Sequence, residues 1–240
     1  MGSIADELCR EFEARGLTGR PIFWERDRPR IISDLLQVLE KDNHHRATHQ
    51  TTPVAAELGF GFGDGLEAVE IDLPNGKSVR FGGLADRLDL GRDGRLHVVD
   101  YKTGGSKSYN KLTAANPDLG ATRLQLPIYA LAARQHQGSA DAEVVAEYWF
   151  TSAQEKFRRI GYPVTPEILE HFAATLSTVV DGIEAGVFPS FPTSQSTAIW
   201  VECAFCDPDS LGVADLQRAW SRKRSDPALA NLINLVDPDE

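Results

Sequence analysis

The stretch that decides the reading is residues 82–104, GGLADRLDLGRDGRLHVVDYKTG. It divides into two strand-like segments, Phe81 to Leu90 and Arg95 to Lys102, around a turn supplied by Gly91, Asp93 and Gly94. Strand side chains alternate, so Asp100 and Lys102 share one face while His97, Val99 and Tyr101 take the other. Pairing through the short turn lets Asp86 approach Asp100, giving two acids and one lysine at the edge of a sheet. An isolated Asp–Lys pair is ordinarily a surface ion pair, and Asp86, Arg87, Asp89 and Lys102 offer several. Val98 and Val99 argue for more than that. A charged pair straight after a buried apolar run must be paired, liganded or at a sheet end.

Such a trio suits metal-dependent hydrolysis of a phosphodiester. Two carboxylates are hard oxygen ligands for Mg²⁺ or Mn²⁺ that leave positions open for water and substrate. The ion neutralises phosphate charge and lowers the pKa of a bound water. A lysine beside it orients that water or stabilises charge developing on phosphate oxygens.

Gly83-Leu-Ala-Asp86-Arg-Leu-Asp89, then Val98-Val-Asp100-Tyr-Lys102-Thr-Gly, then Gln125-Leu-Pro-Ile-Tyr129 occur in that order. Together they resemble the PD-(D/E)xK nuclease superfamily, and in particular the RecB-type nuclease domains at the C-termini of bacterial helicase–nucleases. The likeness covers roughly residues 20 to 230. It implies an α/β fold, a restriction-endonuclease-like core with a central mixed sheet flanked by helices. It also implies roles. Asp86 and Asp100 would ligate Mg²⁺ or Mn²⁺, with the Tyr101 carbonyl as a further ligand. Lys102 would be the catalytic lysine, and Gln125 and Tyr129 would position DNA or support it. Arg87 and Asp89 complete the motif, with a structural role left open. The implied activity is exonuclease-type cleavage of DNA, single-stranded or at duplex ends, in recombinational repair, alongside a helicase either fused or in complex. The alternative is a catalytically impaired domain that keeps the fold for DNA binding or as a scaffold for a helicase.

The resemblance also raises an iron–sulfur cluster, which many relatives hold by one upstream cysteine and three near the C-terminus. Here Cys203 and Cys206 form a CxxC, Gly212 stands where a further cysteine would follow, and Cys9 is the upstream candidate. Three thiolates fall short of the usual four ligands, so the expectation is a degenerate pair and no cluster. A histidine on a helix upstream of the first acidic strand is implied as well. None stands before residue 40, and the chain reads as a fragment or a reduced member that begins after that helix.

The remainder is that of an ordinary globular chain. Of 240 residues 42% are hydrophobic and 25% charged, and three cysteines are too few for a disulfide framework. No run of about 18 apolar residues predicts a membrane span, and MGSIADELCREF has no apolar signal region. A cytoplasmic protein is expected. The net charge of −10 argues for weak DNA binding by this chain alone, with a partner or a larger polypeptide supplying grip.

Three parts are expected: a helical segment over 1–52, a nuclease core over 53–190, and a C-terminal segment over 191–240 with the cysteine pair and a basic helix. Helical spacing predicts helices over residues 4–16 and 24–41, then a polar loop over 42–52 carrying His44, His45 and His49. Strands follow over 53–62, 69–73 and 79–82, the last two a hairpin around Pro74-Asn75-Gly76. Between Gly104 and Gly120 lies a polar loop whose Lys107, Tyr109 and Lys111 suit a DNA backbone. A helix over 122–135, strands over 144–151 and 158–163, a helix from Thr165 to about Gly186, and a basic helix over 215–235 with Arg218, Arg222, Lys223 and Arg224 complete the reading.

Overall fold

A computed structural model describes residues 2–63, 65–189 and 213–236. The chain divides into two compact units. The first comprises Met1–Glu70, Arg80–Pro117 and Leu124–Leu169, and the second Ile71–Val79, Asp118–Arg123 and Glu170–Glu240.

The first unit opens with helices α1 (Gly2–Ala14) and α2 (Pro21–His49). Helix α2 absorbs the expected polar loop, correcting the sequence reading. Nothing between Pro29 and Pro53 is a glycine or proline, so no backbone signal stops the helix where its apolar pattern fades. It ends on Gln50, in the left-handed conformation at φ 52°, whose N–H bonds the Arg46 carbonyl. Strand β1 (Thr51–Phe60) starts at the next residue.

A five-stranded sheet has the order β1-β4-β5-β6-β7, with β4 (Gly83–Gly91), β5 (Leu96–Lys102), β6 (Val144–Phe150) and β7 (Arg159–Pro163). A separate hairpin pairs β2 (Val69–Asp72) with β3 (Ser78–Phe81). The turn between β4 and β5 closes as its residues require. Gly94 takes φ +83°, the Gly91 N–H bonds the Arg95 carbonyl at 2.8 Å, and Asp93 Oδ1 accepts the Arg95 N–H at 3.0 Å. Strands β4 and β5 are antiparallel, with Arg87 opposite Val99. Strands β5 and β6 are parallel and need a crossover, which helix α3 (Gln125–Gln137) provides. Pro127 lies in the first turn of α3, where no intrahelical bond is lost. Strand β7 lies close against β6: a Cβ on Gly161 would come within 2.1 Å of the Ala146 carbonyl oxygen, so only glycine fits.

Strand β5 is the centre of the sheet. Leu96 through Asp100 are all buried, and only Tyr101 and Lys102 at its end are half-exposed. One face meets α2, where the His49 ring lies 6.1 Å from that of His97 and stacks at 4.1 Å on His45. The other meets α3. The mixed α/β sheet flanked by helices is the architecture expected.

In the second unit the β2–β3 turn is fastened to helix α4 (Pro166–Glu184), because Lys77 Nζ pairs with Asp181 at 3.2 Å and with Glu184. Its C-terminal region holds α5 (Val213–Lys223), a short 3₁₀ turn at Pro227–Leu229, and α6 (Ala230–Val236). The basic helix expected within residues 215–235 is α5, and a second helix follows it where Asp226 Oδ1 accepts the Ala228 N–H at 2.9 Å beside Pro227.

Burial of the His45 ring, then Arg159 and the other two rings, push its pKa down to about 4. The folded protein keeps His45 neutral while the unfolded chain takes a proton below about 6.5. Its contribution is thus fully present above about pH 6.5 and lost between there and pH 4. The ring is half-buried, so solvent screening limits the loss to about 1–2 kcal/mol. His45→Gln should lose less stability than wild type between pH 7 and pH 4.5 in urea melts. Parallel pH profiles would remove His45 from the acid response.

Candidate active site

Asp100 is 4% exposed. Burial raises its pKa, Lys102 opposes that rise, and Asp86 adds to it. Lys102 Nζ stands 2.5 Å from Asp100 Oδ2 and is that oxygen's charge partner. A buried carboxylate beside a second acid is suited to holding cations. Asp86 completes the pair from the neighbouring strand. Its Oδ2 accepts the Tyr101 N–H at 2.7 Å, which fixes the carboxylate at the end of β5 between the Asp100 and Lys102 positions.

Lys102 is held on several sides. Its ammonium donates to Gln125 Oε1 at 3.1 Å and lies 5.0 Å from the centre of the Tyr148 ring. Gln125 Nε2 in turn donates to the Tyr129 hydroxyl at 3.1 Å. Gln125 and Tyr129 are four residues apart on α3 and so share a face. Burial raises the Tyr129 pKa, and the charges of Asp100 and Asp86 add to this, so the phenol stays protonated at neutral pH. All the sequence-predicted residues Asp86, Asp100, Tyr101, Lys102, Gln125 and Tyr129 thus lie in one contact network.

These groups fit a hard divalent ion. Among the described residues no cluster of three or more His, Cys, Asp or Glu side chains is arranged to hold a metal. Two carboxylates are nevertheless the protein share typical of Mg²⁺, which keeps waters and substrate oxygens for its other positions. His49 of α2 stands on the opposite face of the sheet, its ring 6.1 Å from that of His97, and His45 packs on His49. The helix upstream of the first acidic strand therefore carries histidines, which the sequence reading placed in a loop, and the rings of His45 and His49 contact each other while His49 also contacts His97. Cys203 and Cys206 lie outside the described residues, and Cys9 is buried in α1.

That opposite face holds the network that the sequence did not disclose. Arg87 and Asp89, two apart on β4, point to the same side. The Arg87 guanidinium makes a bidentate pair with Asp89, both bonds 2.6 Å, and donates to Asp42 Oδ1 of α2 at 2.8 Å and to the Tyr101 hydroxyl at 3.2 Å. Arg46 Nε adds a bond to Asp42 Oδ2 at 2.9 Å. Burial opposes the Arg87 charge, but the bonds from Asp89, Tyr101 and Asp42 outweigh it and raise its pKa above the ordinary arginine value. Asp42 was missed because it was assigned to a loop. Its spacing of four from Arg46 is the signal that would have found it. Tyr148 was missed because an aromatic in a core strand has no distinguishing pattern.

A model of the PD-(D/E)XK nuclease superfamily matches residues 2–211 of the chain. The chain is also similar to bacterial proteins named as the B subunit of ATP-dependent helicase/deoxyribonuclease. It is 40% identical over 110 residues to that of Symbiobacterium thermophilum, and 36% identical over 109 residues to that of Moorella thermoacetica. These matches cover 43% and 44% of this chain and 9% of each relative. A 54-residue match to the Clostridium perfringens protein is 44% identical, covering 21% of this chain and 5% of that one. The chain thus spans about a tenth of the length of these curated relatives.

Arg87→Met should be severely destabilising, because it leaves Asp89 buried without its cation and Asp42 with Arg46 alone. Removing one partner of a buried pair costs about 3–5 kcal/mol. Urea unfolding of the variant would show this as a large fall in the midpoint. A loss below about 1 kcal/mol would mean that water, not Arg87, solvates those acids.

Proposed function

Because the chain belongs to the PD-(D/E)XK nuclease superfamily, we propose that it is a metal-dependent deoxyribonuclease domain, with Asp86, Asp100 and the Tyr101 carbonyl as ligands and Lys102 as the catalytic lysine. The observation that carries this reading is the convergence of Asp86, Asp100 and Lys102 at the end of β5, with Asp100 buried and Lys102 Nζ 2.5 Å from its Oδ2. Mg²⁺ or Mn²⁺ is the proposed cofactor, and an iron–sulfur cluster is not part of the proposal. When bound, the ion neutralises phosphate charge and lowers the pKa of a coordinated water.

The chain's own residues do the rest. Asp86 is oriented by the Tyr101 amide and Asp100 by burial, so both carboxylates are held in place before substrate arrives. Lys102 presents its ammonium to a phosphate oxygen as charge builds there, an interaction stronger in the transition state than in the ground state. Gln125 keeps that ammonium from folding back onto Asp100 alone, and Tyr129 keeps Gln125 in the acceptor orientation. The proposed substrate is DNA, as single strands or duplex ends, and the setting is exonuclease-type processing in recombinational repair with a helicase. The names of the relatives, which join a helicase with a deoxyribonuclease, support a DNA substrate and a helicase partner. The three-part division at residues 52 and 190 and a cytoplasmic location are proposed with it. Among the described residues no helix is long and apolar enough to cross a membrane.

The test is cleavage of labelled single-stranded DNA by the purified protein with Mg²⁺ or Mn²⁺. Lys102→Ala should lower the single-turnover rate about 10²- to 10³-fold, as expected for loss of one preorganised electrostatic group, with the melting temperature little changed. Lys102→Arg should not restore it, because a planar fork places its charge differently from a compact ammonium. Unchanged cleavage in a folded Lys102→Ala protein would remove this lysine from the mechanism. Titration calorimetry should show Mn²⁺ binding to wild type and none to Asp100→Ala. Equal affinity would place the ion elsewhere.

A further inference from the structure

The segment between β5 and α3 is a loop, as expected, but a fixed one. Its only regular element among the described residues is a 3₁₀ turn at Lys107–Tyr109. Ser106 and Leu112, on either side, are buried at 4% and 3% exposure. Arg158 Nη1 donates to Ser106 Oγ at 3.1 Å and to Asn110 Oδ1 at 2.9 Å, and Glu155 Oε2 accepts the Ser106 N–H at 3.0 Å. Tyr109 packs edge-on against Tyr148 and Phe150, with centroids 4.9 and 5.3 Å away. Tyr109 is thus an anchor of the loop, not a free platform for a base.

The placement of this loop carries the inference. The Tyr148 ring that receives Tyr109 is the ring over which the Lys102 ammonium lies. One buried aromatic therefore joins the loop to the catalytic lysine. Lys107 and Lys111 bracket Tyr109, are exposed, and meet no carboxylate among the described residues. Glu155, the nearby acid, is already committed to Ser106. Two ammonium groups with no carboxylate partner among the described residues, on a pinned loop beside the proposed cleavage site, form a local basic edge in a chain of net charge −10.

We propose that Lys107 and Lys111 hold the backbone phosphates of a single DNA strand beside its scissile linkage, the pinned loop fixing the strand relative to Lys102. The proposal rests on the nuclease reading above. A grip made of ammonium groups alone is salt-sensitive and indifferent to base sequence.

The test uses Lys107→Gln/Lys111→Gln in the whole chain. Binding of a fluorescent oligo-dT strand is followed by anisotropy in Mg²⁺ at several salt concentrations, with Lys102→Ala added to both proteins so that the probe survives. Each phosphate contact on a single strand contributes about 0.7 to the slope of log K against log salt. The double variant should therefore have a slope shallower by about 1.4, and a mixed-sequence strand should behave as oligo-dT does. Lys107→Arg/Lys111→Arg should keep the wild-type slope, because charge is retained. Arg10→Gln/Arg15→Gln, at the end of α1, makes the same change in net charge and should leave the slope within about 0.3 of wild type. With Lys102 intact, the double variant should raise KM while its single-turnover rate at saturating strand stays within about twofold, because phosphate contacts position and do not react. An unchanged slope, or an equal fall in the arginine control, overturns the assignment. A rate loss at saturation with unchanged binding overturns it too, since the lysines would then act in the chemistry. If wild type cleaves DNA but the slope does not move, only this proposal falls. If wild type neither binds nor cleaves a strand, the nuclease reading falls with it.

Discussion

The buried Arg87 guanidinium satisfies Asp89 in its own strand, Asp42 in α2 and the Tyr101 hydroxyl in β5, all within 3.2 Å. Three elements distant in sequence thereby share one charge that none can lose cheaply, since Asp89 would be left buried without a cation and Asp42 with Arg46 alone. The consequence for the site is positional. Tyr101 sits between Asp100 and Lys102, its side chain held by Arg87 on one face and its amide aimed at Asp86 on the other. Its ring also leans on Trp149 at 5.7 Å. The residue that separates the acid from the lysine is therefore fixed from both sides of the sheet.

The same strand explains why charged groups are tolerated here. Strand β5 is buried on both faces as far as Asp100 and emerges only at Tyr101 and Lys102. The Asp100 carboxylate is desolvated enough to hold its pKa up and near enough to Lys102 to remain useful. Helix α3 then covers the lysine through Gln125, and Pro127 in its first turn breaks no bond.

Acidic composition and a nucleic-acid substrate are compatible because field and net charge are different quantities. The excess of acids includes many already answered by arginine or lysine on the surface, such as Glu143 by Arg95 and Glu184 by Lys77. In the reading proposed above, a strand meets the local edge at Lys102, Lys107 and Lys111. A chain with few such contacts binds weakly and with a shallow salt dependence, and the helicase of that proposal would supply the missing effective concentration.

The motif strands, their alternation and the identity of the site groups follow from the order of residues alone. Period-two geometry puts Asp100 and Lys102 on one face whatever surrounds them, and the i, i+4 spacing of Gln125 and Tyr129 does the same on a helix. What those faces meet is a matter of packing. Residues 42–49 read as a polar loop because His44, His45, His49 and Asp42 are hydrophilic, yet α2 carries Asp42, His45 and His49 toward the sheet, where Asp42 meets Arg87, His49 meets His97 and the two rings meet each other. Polarity is a property of a residue, whereas its satisfaction depends on partners far away in sequence, such as the 45 positions between Asp42 and Arg87. Arg87 and Asp89 were visible as motif members, but their role was set by which side of the sheet α2 covers. Tyr109 read as a DNA-facing aromatic, and the rings of Tyr148 and Phe150, nearly forty residues on, make it an anchor. Local pattern fixes direction along one element, and long-range packing alone fixes what stands opposite.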